Sequence, residues 1–158
     1  MQTQMTYPAL REYTAFARRH EPALRHSLVA HLGYEAGREA TQDALVFARE
    51  NWNRLQSTHN PGGYLFRVAK RRALRRARTR TEIPFERSAD ELPWVEPKLE
   101  EALRQLSRRQ RAVVFLVEGL GLSHREAAEQ LNISKSAVQT HLESHVKALR
   151  RRWHERHQ

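Results

Sequence analysis

The chain has 158 residues, enough for one domain or two small ones, and 28 Lys and Arg against 18 Asp and Glu give it a formal net charge of +10. Such a charge predicts a polyanionic partner, nucleic acid first and an anionic membrane surface second. The absence of cysteine excludes disulfides, Cys-ligated zinc, iron–sulfur clusters and thiol catalysis. The longest strictly apolar run, Ala112 to Val117, is far shorter than the ~20 residues of a membrane-spanning helix, and no apolar signal core opens the chain, so a cytoplasmic protein without membrane insertion is expected.

Apolar residues recur at helical rather than alternating spacing, as in Val138, Leu142, Val146, Leu149 and Trp153, which predicts an all-α fold. An opening helical stretch from about Tyr7 to Leu32 is expected to be interrupted or kinked near Pro22, because proline removes a donor and clashes with the preceding turn. A second helix, about Ala36 to Leu55, carries Ala40, Ala44, Ala48 and Trp52 on one narrow face, with Gln42 and Asp43 off that stripe. The third begins at Asn60-Pro61, an N-cap residue followed by proline at the first helical position, and runs to about Arg78.

From Thr81 to Pro97 the periodicity lapses, Pro84, Pro93 and Pro97 appear, and the charge turns acidic at Glu82, Glu86, Asp90, Glu91 and Glu96. This reads as an interdomain linker whose Ile83, Phe85, Leu92 and Trp94 are able to dock on a neighbouring surface. The expected organisation is two small helical domains, 7–80 and 98–154, joined by the linker 81–97. Four helical segments follow the linker, and Ser107 with Gln110 and Ser123 with Glu126 have the spacing of capping boxes. Gly119 and Gly121 break the chain after the Arg108 to Glu118 helix, and Asn132 separates Ser123 to Leu131 from a final helix opening at Ser134.

Ser123 to Leu142 has helix-turn-helix spacing: Ala127, Ala128 and Leu131 face inward, the turn lies at Asn132-Ile133, and Val138 and Leu142 face inward again. That register leaves Lys135, Ser136, Gln139, Thr140 and Glu143 outward for bases and phosphates, with His141 DNA-facing or half-buried. Gln139 is suited to adenine and Lys135 to phosphate or guanine. His124 and Arg125, in the first turn of the supporting helix, are placed to hold backbone phosphate. An ordinary helical hairpin would leave the same polar residues facing water; the turn and the charge favour DNA.

The third helix concentrates positive charge. Arg67, Lys70, Arg71, Arg72, Arg75, Arg76, Arg78 and Arg80 follow one another without an acidic residue, and Arg67, Arg71, Arg75 and Arg78 form one stripe, an arrangement that tracks phosphates. The competing reading is a solvated basic face or a membrane-surface helix. His141 and His145 have paired-ligand spacing, but no third ligand is marked, so neither a metal nor a cofactor is expected. No phosphate loop or nucleophile elbow is present, and nothing argues for an enzyme active site.

These residues resemble the sigma-70 family, specifically its two-domain extracytoplasmic-function group with actinobacterial-like features. The resemblance is strongest in L-S-R-R-Q-R-A-V-V-F-L-V (Leu106 to Val117) and G-L-S-H-R-E-A-A-E-Q-L-N-I-S-K-S-A-V-Q-T-H-L (Gly121 to Leu142), which look like the domain reading the minus-thirty-five promoter element. It extends to P-G-G-Y-L-F-R-V-A-K-R-R-A-L (Pro61 to Leu74), similar to the helix at the minus-ten element, to E-A-T-Q-D-A-L (Glu39 to Leu45), similar to the polymerase-clamp helix, and to L-P-W-V-E-P in the linker. The resemblance implies a sigma factor that binds core RNA polymerase and promoter DNA, and it leaves open an anti-sigma factor as a further partner.

By that resemblance Glu39, Gln42 and Asp43 contact the clamp, the Ser57 to Asn60 loop helps capture an unstacked minus-ten base, and Asn60, Arg67, Lys70, Arg71, Arg75 and Arg78 form the minus-ten surface. Ser134, Lys135, Ser136, Gln139, Thr140 and His141 form the recognition surface. The sequence departs from the family pattern in a less acidic clamp helix, a Tyr at 64 in place of Trp and an Arg at 71 in place of Asn. Tyr64 lies on the apolar side of its helix, which favours core packing over base stacking. Two rivals remain at this stage: a stand-alone, dimeric helix-turn-helix regulator, and a degenerate sigma-like protein that occupies polymerase without initiating.

Overall fold

The computed structural model describes residues 4–79 and 105–156. Among them every regular element is helical: α1 (Tyr7–Leu32), α2 (Tyr34–Glu50), α3 (Trp52–Leu55), α4 (Pro61–Thr79), α5 (Arg108–Val114), which continues into a π turn (Phe115–Gly119), α6 (His124–Leu131) and α7 (Lys135–Arg156). The expected linker, Thr81 to Pro97, lies outside the described residues, as does the first helical segment expected after it.

Of the two alternatives expected near Pro22, two helices or one kinked helix, the first is corrected: α1 is a single helix with Pro22 inside it. Pro22 is exposed, so the carbonyl of Arg18, which lacks its usual donor, sits where water can solvate it. Leu24 and Leu28 in the following turns are fully buried, and their burial, worth about 1.5–3 kcal/mol each, holds the helix together across the proline.

A single residue, Gly33, with φ of 91°, turns the chain into α2. The two helices run antiparallel: a β-carbon at Gly37 would lie 2.5 Å from the Val29 Cα, and further along the Tyr13 hydroxyl donates to the Leu45 carbonyl at 2.9 Å. The alanine stripe permits this approach, with Ala40, Ala44 and Ala48 all buried. The second helix stops at Glu50, short of the expected Leu55. Asn51 leaves helical geometry and its amide donates to the Phe47 carbonyl at 2.9 Å, closing the helix end. The chain then restarts as the short α3, which buries Trp52 and Leu55.

Helix α4 starts as expected, with the Asn60 side chain accepting from the Gly63 N–H at 3.1 Å, and buries Leu65, Phe66 and Ala69. Tyr64 is partly buried against the core and its ring lies 6.3 Å from that of Phe47, in line with the packing role its position implied.

The C-terminal helices do not form an isolated core. Val113, Leu116, Leu120, Leu122, Ala127, Ala128, Val138 and Leu142 belong to one buried cluster with Leu24, Leu28, Leu55, Leu65 and Phe66. His26 of α1 stacks on Phe115 of the π turn, with ring centroids 4.9 Å apart. Burial and the nearby Arg25 charge push the His26 imidazole down to about 4, so it is neutral across the physiological range.

Candidate nucleic-acid interface

Both capping boxes are present. Ser107 and Gln110 exchange side-chain and backbone bonds at the start of α5, and Ser123 and Glu126 do the same at the start of α6. Helix α6 ends at Asn132, whose φ of 53° and ψ of 46° place it in the left-handed region that asparagine tolerates better than most residues. The Ile133 N–H then donates to the Ala128 carbonyl at 3.1 Å. Two helices joined by this tight turn, with Ala127, Ala128, Val138 and Leu142 buried between them and the core, constitute a helix-turn-helix.

The recognition helix α7 presents Lys135, Ser136, Gln139 and Thr140 as exposed residues and His141 as half-buried. Ser134 caps the helix, its hydroxyl accepting from the Ala137 N–H at 3.1 Å, and the Thr140 hydroxyl donates back to the Ser136 carbonyl. The Gln139 amide donates to Glu143 one turn on, at 3.0 Å. This bond restrains the glutamine rotamer and leaves its carbonyl oxygen and second amide hydrogen available to a base edge. In the supporting helix Arg125 is exposed beside Glu129 and His124 is half-buried. The side chains of Val146, Leu149 and Trp153 lie outside the described residues.

The basic helix α4 divides its charges among four settings. Arg71 and Arg75 are exposed. Arg72 lies over the Phe47 ring, 4.8 Å from its centroid. Arg76 reaches α2, where it pairs with Glu39 at 3.2 Å and with Asp43. Arg67 and Lys70 turn toward the C-terminal helices: Arg67 donates to Glu126 at 2.8 Å, and the Lys70 ammonium donates to the carbonyl and side-chain oxygens of Gln130. Burial lowers the Lys70 pKa from its usual value. The Arg78 side chain lies outside the described residues.

Asn60 joins the same seam, its amide donating to the Leu120 carbonyl at 3.0 Å. Of the expected minus-ten surface, then, Asn60, Arg67 and Lys70 face the helix-turn-helix, and Arg71 and Arg75 face outward. Among the residues expected to meet polymerase, Glu39 and Gln42 are exposed and Asp43 is half-buried. Val46, 57% exposed on the same face of α2, was missed by the reading of motifs. Its signal was an apolar residue at helical spacing from Glu39 and Gln42 on a polar face. Leu74, exposed between Arg71 and Arg75, was missed in the same way.

Residues 97–144, which contain α5, α6 and the recognition half of α7, match the family profile described as Sigma-70, region 4. This part of the chain is similar to the fourth conserved region of the sigma-70 family. The matched stretch, called region 4 below, contains the helix-turn-helix described above. The fold resembles that of a solved sigma factor, RpoE, from a co-crystal with the anti-sigma factor NepR from Bartonella quintana. The TM-score is 0.52 at 17% identity, covering 89% of this chain and 96% of that one. No curated protein matches the sequence significantly. No described helix is long and apolar enough to cross a membrane.

Proposed function

We propose that this sigma-70 family chain is an initiation factor of the extracytoplasmic-function group, which binds core RNA polymerase and directs it to promoters in the cytoplasm. The observation that carries the reading is a region 4 helix-turn-helix with Lys135, Ser136, Gln139 and Thr140 open on its recognition helix. The action is binding, without catalysis. Glu39, Gln42 and Asp43, with Val46, dock on the polymerase clamp, α4 engages the promoter where it melts, and α7 enters the upstream major groove. His124 and Arg125 hold the phosphates beside it. Two tethered modules make joint binding depend on promoter spacing through effective concentration, so neither module needs high affinity alone.

The full basic charge supports this reading, because polymerase-bound promoter DNA is contacted along two separated stretches of phosphate. An anti-sigma protein is the natural external control for a factor of this kind. The test is competition with the principal sigma factor for core RNA polymerase. Displacement at comparable concentrations is the expected result. No binding to core polymerase, together with a dimer on a palindromic duplex, would establish the stand-alone regulator in its place.

A further inference from the structure

Two arginines of α4, one turn apart, lean on α2. Arg72 lies over the Phe47 ring, and Arg76 pairs with Glu39 at 3.2 Å and with Asp43. As α2 advances from Glu39 through Asp43 to Phe47, α4 is met in the reverse order, Arg76 before Arg72, so the two helices run antiparallel here. The Arg76 guanidinium spans carboxylates one turn apart on α2. It holds both because its donors spread in a plane, a geometry that a lysine ammonium lacks.

Glu39 and Asp43 are the carboxylates of the α2 strip proposed to meet the polymerase clamp, and they supply the negative charge by which a basic chain would attract a cationic partner there. In the free chain that charge is already answered from α4. A clamp cation that takes either carboxylate must draw it from Arg76 or share it. The side chains are 41% exposed for Arg76, 48% for Glu39 and 34% for Asp43, so all are within reach of an incoming charge, and pairs of this kind are weak and exchangeable. Arg72, stacked on a ring, withdraws no carboxylate from the strip.

We propose that Arg76 is an internal competitor for the polymerase clamp: it pairs with the same two carboxylates that dock, and so sets the affinity of docking from a neighbouring helix. This rests on the polymerase-binding role proposed above for Glu39 and Asp43. The chain's share of polymerase is then fixed by α4 as well as by α2. Competition of this kind is felt most at low ionic strength, because salt screens the exposed pairs. A residue that merely supported the fold would act in the opposite direction, its loss weakening docking at every salt concentration.

The full-length chain carrying Arg76→Gln is titrated with core RNA polymerase beside wild type and Arg19→Gln, an equal charge change at an exposed position of α1. The exposure of Arg76 means that its replacement leaves the buried core in place. At low salt Arg76→Gln should bind core polymerase about threefold more tightly than wild type and than Arg19→Gln, the size expected for release of two partly exposed pairs. The gain should shrink as salt is raised. In a Glu39→Gln/Asp43→Asn chain, where there is no carboxylate to release, adding Arg76→Gln should give no gain. Binding by Arg76→Gln no tighter than by Arg19→Gln, or an equal gain with and without the two carboxylates, would overturn the competition while leaving the clamp role of α2 intact. Wild-type affinity in Glu39→Gln/Asp43→Asn, or no binding by any form, would overturn that role and the competition with it.

Discussion

Arg67 of α4 and Glu126 of α6 lie 59 positions apart in the chain, and the guanidinium Nη2 of the first donates to Oε1 of the second at 2.8 Å. Their side chains are 40% and 38% exposed, so solvent screens the attraction, and the apolar cluster beneath, rather than this pair, supplies most of the holding energy. A double-mutant cycle with Arg67→Ala and Glu126→Gln, read by urea unfolding, should give a coupling of about 0.2–1 kcal/mol that shrinks with added salt. A coupling several times larger, or one indifferent to salt, would contradict this assignment of energies.

The crossing of α1 and α2 is far less tolerant. A β-carbon at Gly37 would stand 2.5 Å from the Val29 Cα and 2.6 Å from its nitrogen, and backbone cannot move aside as a side chain can. Gly37→Ala should therefore destabilise the fold by about 1–3 kcal/mol through overpacking, net of a helix-propensity gain of about 1 kcal/mol. The urea midpoint checks this, and an unchanged or raised midpoint would show that the helices separate freely at this point.

Acid should loosen the fold partly through His26. Its imidazole is held down to about 4, against 6.5 when exposed, so the unfolded chain takes up a proton between those values and the folded chain does not. The stability associated with neutral His26 is fully present above pH 6.5 and is lost progressively as pH falls toward 4. His26→Phe keeps an aromatic ring against Phe115 and removes the titration. Its unfolding midpoint should fall less steeply over this interval than that of wild type, and parallel pH profiles would place the acid sensitivity elsewhere.

Among the residues proposed to read bases, Gln139 has the clearest chemical preference. Its amide is restrained by Glu143 at 3.0 Å, and an amide reads adenine through a donor and an acceptor together. Gln139→Ala should cost about 1–3 kcal/mol at one base pair of the upstream element and relax preference there, with core polymerase binding unchanged. Uniform weakening on every sequence, measured by binding to a set of single-substituted duplexes, would assign Gln139 to the phosphate backbone.

Local patterns in the sequence were sufficient for the parts of the fold that local physics decides. The Ser107 and Ser123 capping boxes, the Asn60-Pro61 start and the left-handed Asn132 each satisfy backbone groups within a few residues, and the spacing of Ala127, Ala128, Val138 and Leu142 marks a buried face wherever it occurs. Pro22 does not divide the helix, because the local cost of proline is outweighed by burial of the leucines after it. The seam between α4 and region 4 had no sequence signature. Glu126 is fully explained by its capping box until Arg67 is brought to it in space, and the arginines of the basic helix look alike until Glu39 and Asp43 together claim Arg76, Phe47 claims Arg72 and Glu126 claims Arg67.

The function proposed for this chain is to start transcription. The most direct test is to reconstitute it with core RNA polymerase on sheared genomic DNA and map the 5′ ends of the transcripts. The account predicts discrete starts preceded by two shared sequence elements at a fixed spacing, dependent on the chain and altered in the upstream element by Gln139→Ala. Chain-dependent occupancy of polymerase with no discrete starts would contradict it and identify a sigma-like protein that holds polymerase without initiating.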